Sequence, residues 1–248
     1  MQNGIGWQSL DLVEGTDLRR LLDAFHGGPQ RIPLGATLHV VTEIAKALAY
    51  VHAQRDPDGR ALGLVHRDVT PSNILVSYGG DVRLTDFGIA KVTESERTRT
   101  DQMKGKESYI SPEHAIGDGV DGRADPFALD VVMFEMLTGA RPYDGENRNQ
   151  TMLHAIEGRR TRELRGLVED GTPEAVVEIV ERLIASDREK RYPNAGALLE
   201  AVAGCGIPAR EVRLLGTLVR ACRPEVVVPE GGLLSEGDAR QVRGSVRR

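Results

Sequence analysis

Apolar residues recur every three or four positions in several segments, which is the spacing of helices that bury one face. The clearest stripe predicts a helix from about residue 37 to residue 54 and consists of Leu38, Val41, Ile44, Leu48 and Val51. Further helices are predicted at 17–25, 149–157, 173–185 and 195–203. The segment Ala124–Thr138 is apolar on nearly all sides, so it predicts a central, buried helix.

Two short segments at 74–77 and 81–84 flank Gly79 and Gly80, which predicts a β-hairpin because glycine suits tight turns. Thr16 is expected to cap the first helix. Asp125 can cap the central helix, and Gly139 can end it. The whole pattern favours a mainly helical α+β fold with one short hairpin.

Composition restricts the class of protein. The chain has 248 residues, of which 40% are apolar, enough for one large domain or two small ones. Its net charge of −5 argues against nucleic acid as a partner. Cys205 and Cys222 lack metal-ligand spacing, which favours a reducing compartment. No apolar run approaches membrane-spanning length and no secretory signal is evident, so we expect a cytoplasmic protein without a membrane partner.

Candidate chemistry is concentrated between residues 63 and 91. Asp68 ends the motif His66-Arg67-Asp68, Asn73 follows after four residues, and Asp86 begins Asp86-Phe87-Gly88. A phosphoryl transfer needs a carboxylate beside the acceptor hydroxyl and oxygen ligands for Mg²⁺, and these residue types supply both. The alternative is that Asp68, Asn73 and Asp86 only cap turns, the commonest role of such residues between apolar runs.

Over roughly residues 9–203 the chain resembles the protein kinase family, in its bacterial serine/threonine type. The resemblance rests on the two motifs above, on Ser111-Pro112-Glu113, on Asp125 and on Arg191. It implies the helical carboxyl-terminal lobe of a protein-kinase-like fold, with the hairpin at the active edge. Residues 1–15 would be a remnant of the amino-terminal lobe and hinge, 16–205 the carboxyl-terminal lobe, and 206–248 a peripheral helix and mobile tail.

The resemblance also implies roles for individual residues. Asp68 is the base, and Asn73 and Asp86 hold Mg²⁺ and through it ATP. For the nucleotide, it places the backbone near Val13 beside adenine, Leu75 under the ring and Asp17 near the ribose. A first-turn Asp17 needs no ligand to explain it, so both readings of Asp17 stay open.

Three further residues implied by the resemblance are structural. Asp125 would brace the backbone of the His-Arg-Asp loop. Arg191 and Glu113 would form a buried ion pair. Asp130 stands where the family usually has glycine, and a buried carboxylate there needs a partner or water because burying it unpaired is costly.

Two positions around the expected base depart from the family pattern. Thr70 replaces the usual lysine two residues after Asp68, and Lys106 replaces a usual threonine after Gly105. We interpret this as an exchange in which Lys106 restores the positive charge from the opposite side; the alternative is a solvent-facing lysine.

A polar segment with several hydroxyls, 91–110, occupies the place of an activation segment. Phosphate on Thr98 or Thr100 could pair with Arg67 through two hydrogen bonds. Any polar loop offers threonines, so a regulatory role is a hypothesis. His39 and His52 lack partners at ligand spacing and are expected to be surface or packing residues.

The upper half of a kinase site is not found in this sequence. Residues before Gly63 contain no glycine-rich phosphate loop, and the first lysine, Lys46, falls within a predicted helix. We therefore expect a serine/threonine kinase that phosphorylates protein Ser/Thr hydroxyls, with the amino-terminal lobe supplied by sequence outside this chain or by another chain. This chain alone should bind ATP and Mg²⁺ weakly. The alternative is an inactive kinase-like scaffold that binds a protein partner.

Overall fold

A computed structural model describes residues 12–26, 31–87, 106–168, 171–206 and 209–222. Its strands and helices are, in chain order, β1 (Gly15–Asp17), α1 (Leu18–Phe25), α2 (Leu34–His52), β2 (Ile74–Ser77), β3 (Val82–Leu84), α3 (Pro112–Ile116), α4 (Ala124–Thr138), α5 (Arg148–Glu157), α6 (Glu174–Leu183), α7 (Ala195–Ala203) and α8 (Ala209–Cys222). Single turns of 3-10 helix lie at Pro71–Asn73, Glu107–Tyr109, Leu164–Gly166 and Arg188–Lys190. The described residues are thus mainly helical and carry one small sheet, as the sequence predicts.

Helix α4 is the centre of the fold. Every one of its residues is buried, and α2, α6 and α7 pack against it. Gly139 ends the helix in the left-handed region, at φ 71°. The prediction that Asp125 caps this helix was wrong, because Arg123 precedes it and makes no side-chain cap. Asp125 lies one residue inside the helix, where its carboxylate is used for another contact.

The long helix α2 begins at Leu34, three residues earlier than the apolar stripe predicts, directly after Pro33. By length and composition alone it also qualifies as a membrane-spanning helix, contrary to the expectation that no run reaches that length. A core helix passes the same test, and Ile44 and Leu48 of α2 are fully buried. Packing within the fold accounts for its apolar character.

The sheet has the order β1-β2-β3, and both pairs of strands are antiparallel. The predicted hairpin is β2 and β3, with Ile74 opposite Leu84. Strand β1 adds to its other side and places Asp17 opposite Leu75. The predicted Thr16 cap was wrong: Thr16 lies in β1, and Asp17 Oδ1 caps α1 by accepting from the Arg20 amide at 3.0 Å.

Helix α8 lies in the segment expected to be peripheral. Its Leu215 and Val219 are nevertheless fully buried, and the helix packs against α1, α2, β1 and β2. Residues 223–248, expected to form a mobile tail, lie outside the described residues.

Candidate functional site

Asp125 holds the loop that carries Asp68 through hydrogen bonds to the loop backbone. The two carboxylate oxygens of Asp125 accept the backbone amides of His66 and Arg67, each at 2.8 Å. Arg67 has φ 63°, a left-handed conformation that is uncommon for a residue with a side chain. Because Asp125 is 1% exposed, its two hydrogen bonds form away from water and fix this conformation. The contact predicted for Asp125 is present.

His52, expected to be a surface or packing residue, is a third donor to the same carboxylate. Its Nε2 lies 2.7 Å from Asp125 Oδ2, with His52 12% and Asp125 1% exposed at their side chains. His52 is the last residue of α2, so this hydrogen bond ties that helix to α4 beneath the loop. Its only signal in the sequence was its position at a helix end, which does not identify a partner 73 residues away.

Asn73 is positioned by the loop and by the sheet. Its Nδ2 donates to the Asp68 carbonyl at 2.7 Å, and its own carbonyl accepts the Thr85 amide at 2.9 Å. The Asn73 Oδ1 atom, the oxygen that a metal would use, has no hydrogen bond within the described part of the chain. The hydrogen bond from Nδ2 therefore fixes the Asn73 side chain and leaves Oδ1 for a ligand.

Asp86 follows β3 by two residues, and the β2–β3 register brings it to the end of the hairpin where Asn73 lies. It adopts φ 58° and is exposed. Two oxygen ligands from one edge fit Mg²⁺, which usually takes one or two protein ligands and completes its shell with phosphates and water. Within the described ranges no group of three or more His, Cys, Asp or Glu could hold a metal without such help.

His66 connects the Asp68 loop to the segment around Asp86. Its Nε2 donates to the Thr85 carbonyl at 3.0 Å, and its Nδ1 accepts the Asp68 amide at 3.3 Å. The buried ring also meets Phe87 edge-on, with centroids 4.6 Å apart. The backbone of Asp68 and the segment on either side of Asp86 are therefore linked through the His66 ring.

Lys106 lies directly on the expected base. Its Nζ donates to both carboxylate oxygens of Asp68, at 3.0 and 3.1 Å. Thr70, where the family pattern has lysine, is 3% exposed, and its Oγ1 has no hydrogen bond among the described residues. The structure thus places a positive charge at Asp68 from the later segment, as the proposed exchange requires.

The residues expected at the nucleotide surround β1. Val13 precedes the strand and is half-buried, as is Leu75 on β2. The Oδ1 atom of Asp17 caps α1, and its Oδ2 atom lies 3.3 Å from Arg20 Nε. The structural explanation of Asp17 is therefore sufficient, and contact with a ribose stays a prediction. Thr98 and Thr100, for which a regulatory role is predicted, lie outside the described residues, while Arg67 is exposed.

The buried ion pair between Glu113 and Arg191 is present. Arg191 Nη1 and Nη2 donate to the two Glu113 oxygens at 2.9 and 3.0 Å. Arg191 Nε and Nη2 also donate to the carbonyls of Ala185 and Ser186, and the guanidinium lies over the Phe127 ring. Burial acts to raise the pKa of Glu113, but hydrogen bonds from Arg191 and its backbone outweigh it and lower the pKa.

A second buried network was not predicted from the sequence. Glu135 of α4 accepts hydrogen bonds from Arg19 at 2.7 Å and from the Tyr109 hydroxyl, while Arg141 lies 3.7 Å away. Arg19 also donates to the Tyr109 hydroxyl at 2.8 Å. The network joins α1 and α4 to the turn that follows Lys106, and its members are too far apart in sequence to form a motif.

Asp130 is the unusual group of the core. It is 0% exposed, and neither carboxylate oxygen has a hydrogen-bond partner within the described ranges, where we expected a partner or water. Burial raises the pKa of Asp130 well above its usual value, and the charge of Arg160 opposes this only in part. Tyr143 and Tyr192 are also within electrostatic reach, but the Tyr143 hydroxyl donates to the Ile184 carbonyl at 2.7 Å.

Known proteins resemble this chain over most of its length. A family model described as the protein kinase domain matches residues 7–201. A Myxococcus xanthus protein named tyrosine-protein kinase MasK is 39% identical over 78% of this chain and 30% of its own length. The probable serine/threonine-protein kinase PknB of Lactococcus lactis is 30% identical over 78% of this chain and 29% of its own length. The serine/threonine-protein kinase PknL of Mycobacterium tuberculosis is 36% identical over 78% of this chain and 46% of its own length. The chain therefore spans less than half the length of these relatives.

Proposed function

Because the chain belongs to the protein kinase family, we propose that it forms the substrate-side half of a serine/threonine protein kinase. One observation carries the proposal. Asp68, Asn73 and Asp86 meet at one edge, where Asp125 holds the loop and the β2–β3 hairpin sets the spacing. Three residues that merely cap separate turns would not need this shared scaffold.

In the proposed reaction Asp68 orients the Ser or Thr hydroxyl of a protein substrate and takes its proton as the oxygen attacks the γ-phosphorus. The bond to the β-phosphate oxygen breaks, and ADP leaves. Asn73 Oδ1 and the Asp86 carboxylate would hold Mg²⁺, which supplies charge neutralisation on the phosphates when bound. Asn73 reaches the same loop through its Nδ2, so the metal and the base share one support.

We assign Lys106 the charge that the usual lysine beside the base provides. Its contact with Asp68 supports this assignment, and Thr70 leaves no competing cation at the usual position. A mobile ammonium can move from the carboxylate to the transferred phosphate as negative charge develops there. Lys106 thus acts beside the reacting atoms in this proposal.

The upper half of the site comes from outside these residues in our proposal. Lys46 cannot hold the α and β phosphates, because it lies on α2 and pairs with Glu43 at 2.7 Å. A glycine-rich loop and a strand lysine would be contributed by preceding sequence or by another polypeptide. This chain alone should therefore bind Mg·ATP weakly, since the phosphates stay largely solvated.

A second candidate is a kinase-like scaffold that binds a protein and transfers nothing. It is favoured by the same position of Lys46 and by the ion pair that occupies Asp68. An intact set of Asp68, Asn73 and Asp86 favours the enzyme, because a scaffold does not require metal ligands.

Phosphotransfer from ATP labelled at the γ-phosphate decides between the kinase and the scaffold. The assay uses the longest in-frame polypeptide that contains this chain, with a mixed protein substrate and with Asp68→Asn as the control. We expect transfer that the substitution reduces by roughly three orders of magnitude, with the label on phosphoserine or phosphothreonine. Label on phosphotyrosine would contradict the acceptor class, which one relative's name makes a real alternative. No transfer above the Asp68→Asn level would favour the scaffold.

A further inference from the structure

Helix α8 touches the turn of the β2–β3 hairpin backbone to backbone. A methyl group placed on Gly216 of α8 would lie 2.5 Å from the Tyr78 carbonyl oxygen, and one placed on Gly80 would lie 2.2 Å from the Val212 carbonyl oxygen. Each surface therefore carries a glycine opposite the backbone of the other. The two backbones approach so closely that neither glycine has room for a side chain while α8 and the turn keep their positions.

The same turn is held from a second side by α2. His39 Nε2 donates to the Gly80 carbonyl at 3.1 Å. On α8, Leu215 and Val219 are fully buried and share one face with Gly216, at spacings of three and four residues. Burial of these two side chains stabilises α8 on the body of the protein, so its contact with the turn belongs to the core.

This turn lies at the far end of the hairpin from the metal ligands. Asn73 directly precedes β2 and Tyr78 directly follows it, a span of about 17 Å at the usual rise per residue. A short, paired hairpin moves as one piece, so a shift at the turn changes the position of Asn73 and Asp86. Helix α8 also packs on β1 and α1, which adjoin the expected nucleotide position.

We propose that α8 is a positioning element for the metal edge of the site, acting through the hairpin. The inference deepens the proposed kinase function and rests on it for the role of Asn73 and Asp86. Helix α8 lies beyond residue 201, where the match to the kinase family ends, so the family relationship does not account for this contact.

A matched pair of valine substitutions in the 248-residue chain tests the proposal. Gly216→Val forces a branched side chain against the turn, whereas Thr217→Val places the same residue at the next, exposed position of α8. Hydrogen exchange is measured at two hairpin amides, Ser77 and Thr85, and at the Gly139 amide that closes α4 as an internal reference. Gly216→Ala, whose single methyl reaches the same carbonyl, replaces Gly216→Val if that variant does not fold.

We expect Gly216→Val to speed exchange at Ser77 and Thr85 by roughly ten- to a hundredfold relative to Gly139, the usual scale of overpacking effects. Thr217→Val should leave the ratio of hairpin exchange to Gly139 exchange unchanged. Equal hairpin exchange in both variants would overturn the proposal, as would an increase at all three amides alike, which would indicate global loss of stability.

Titration with Mg·ATP, using the same variants within the longest in-frame polypeptide that contains this chain, separates this inference from the kinase proposal. Weaker binding in Gly216→Val than in Thr217→Val, together with faster hairpin exchange, supports both. Faster exchange with unchanged binding overturns the role of α8 at the metal edge. Absence of Mg·ATP binding at millimolar concentration in every variant, including wild type, counts against the nucleotide site itself, while the exchange data still decide whether α8 holds the hairpin.

Discussion

Replacing Asp130 with asparagine should change how the stability of the chain depends on pH. The carboxyl is 0% exposed in the middle of α4, and within the described ranges neither oxygen is hydrogen bonded. Burial raises the pKa of Asp130 well above its usual value, with Arg160 opposing the shift. Native Asp130 therefore keeps a proton that the unfolded chain gives up near pH 4.

The sign and size of the pH dependence of the unfolding free energy follow from this difference in bound protons. Because the folded pKa is raised, the stabilising contribution is complete below about pH 4 and is lost progressively as pH rises to the folded pKa. Within that window one extra proton in the native state lowers the free energy of unfolding by about 1.4 kcal/mol per pH unit.

Urea unfolding followed by far-ultraviolet circular dichroism measures this slope, since Trp7 lies outside the described residues. Asp130→Asn should remove the contribution, so the difference in unfolding free energy between variant and wild type should grow by about 1.4 kcal/mol per pH unit from above pH 4 up to the folded pKa of Asp130. Glu200→Gln, an exposed carboxyl on α7, is the control and should follow wild type. Parallel pH curves for Asp130→Asn and wild type would refute the reasoning, because they would require an ionised Asp130 in the native protein.

Three further substitutions test contacts of the site. His52→Ala removes one donor to the carboxylate that holds the loop and should cost about 1–3 kcal/mol in urea unfolding; no change would mean that this histidine only packs. Arg191→Met leaves Glu113 buried without its partner and should cost about 3–5 kcal/mol, whereas adding Glu113→Leu should recover much of this; additive costs would contradict a coupled pair. Lys106→Thr should lower phosphotransfer by about a hundredfold, and adding Thr70→Lys should restore most of it; unchanged transfer in the single variant would exclude the exchange.

Local signals in the sequence predicted the elements better than their partners. Helix α7 has its predicted bounds, because Asn194 caps it and its apolar spacing is regular. The hairpin followed from two glycines between short apolar segments. Strand β1 was missed as a partner of β2, since three residues carry too little periodicity and their pairing partner lies some sixty positions later.

Asp130 shows a different limit of prediction from the sequence. The sequence correctly places it in a helix that is apolar nearly all round, and from that its burial follows. Whether a buried carboxyl finds a donor depends on which side chains of other elements face it and what else they contact. Tyr143 is near, but its hydroxyl is already committed to the Ile184 carbonyl, a fact that no pattern in the chain encodes.

The exchange that we propose between Thr70 and Lys106 would keep the chemistry of the motif although one residue of the motif differs. Electrostatic stabilisation depends on where a charge lies relative to the reacting atoms and not on which backbone segment carries it. Lys106 reaches Asp68 from a segment that comes 38 residues later, and in the proposed exchange this contact would supply the charge of the usual lysine. The same reasoning applies to the missing strand lysine at the phosphates. A cation delivered there from outside this chain would complete the site, which is why phosphotransfer must be measured on the longest polypeptide that contains the chain.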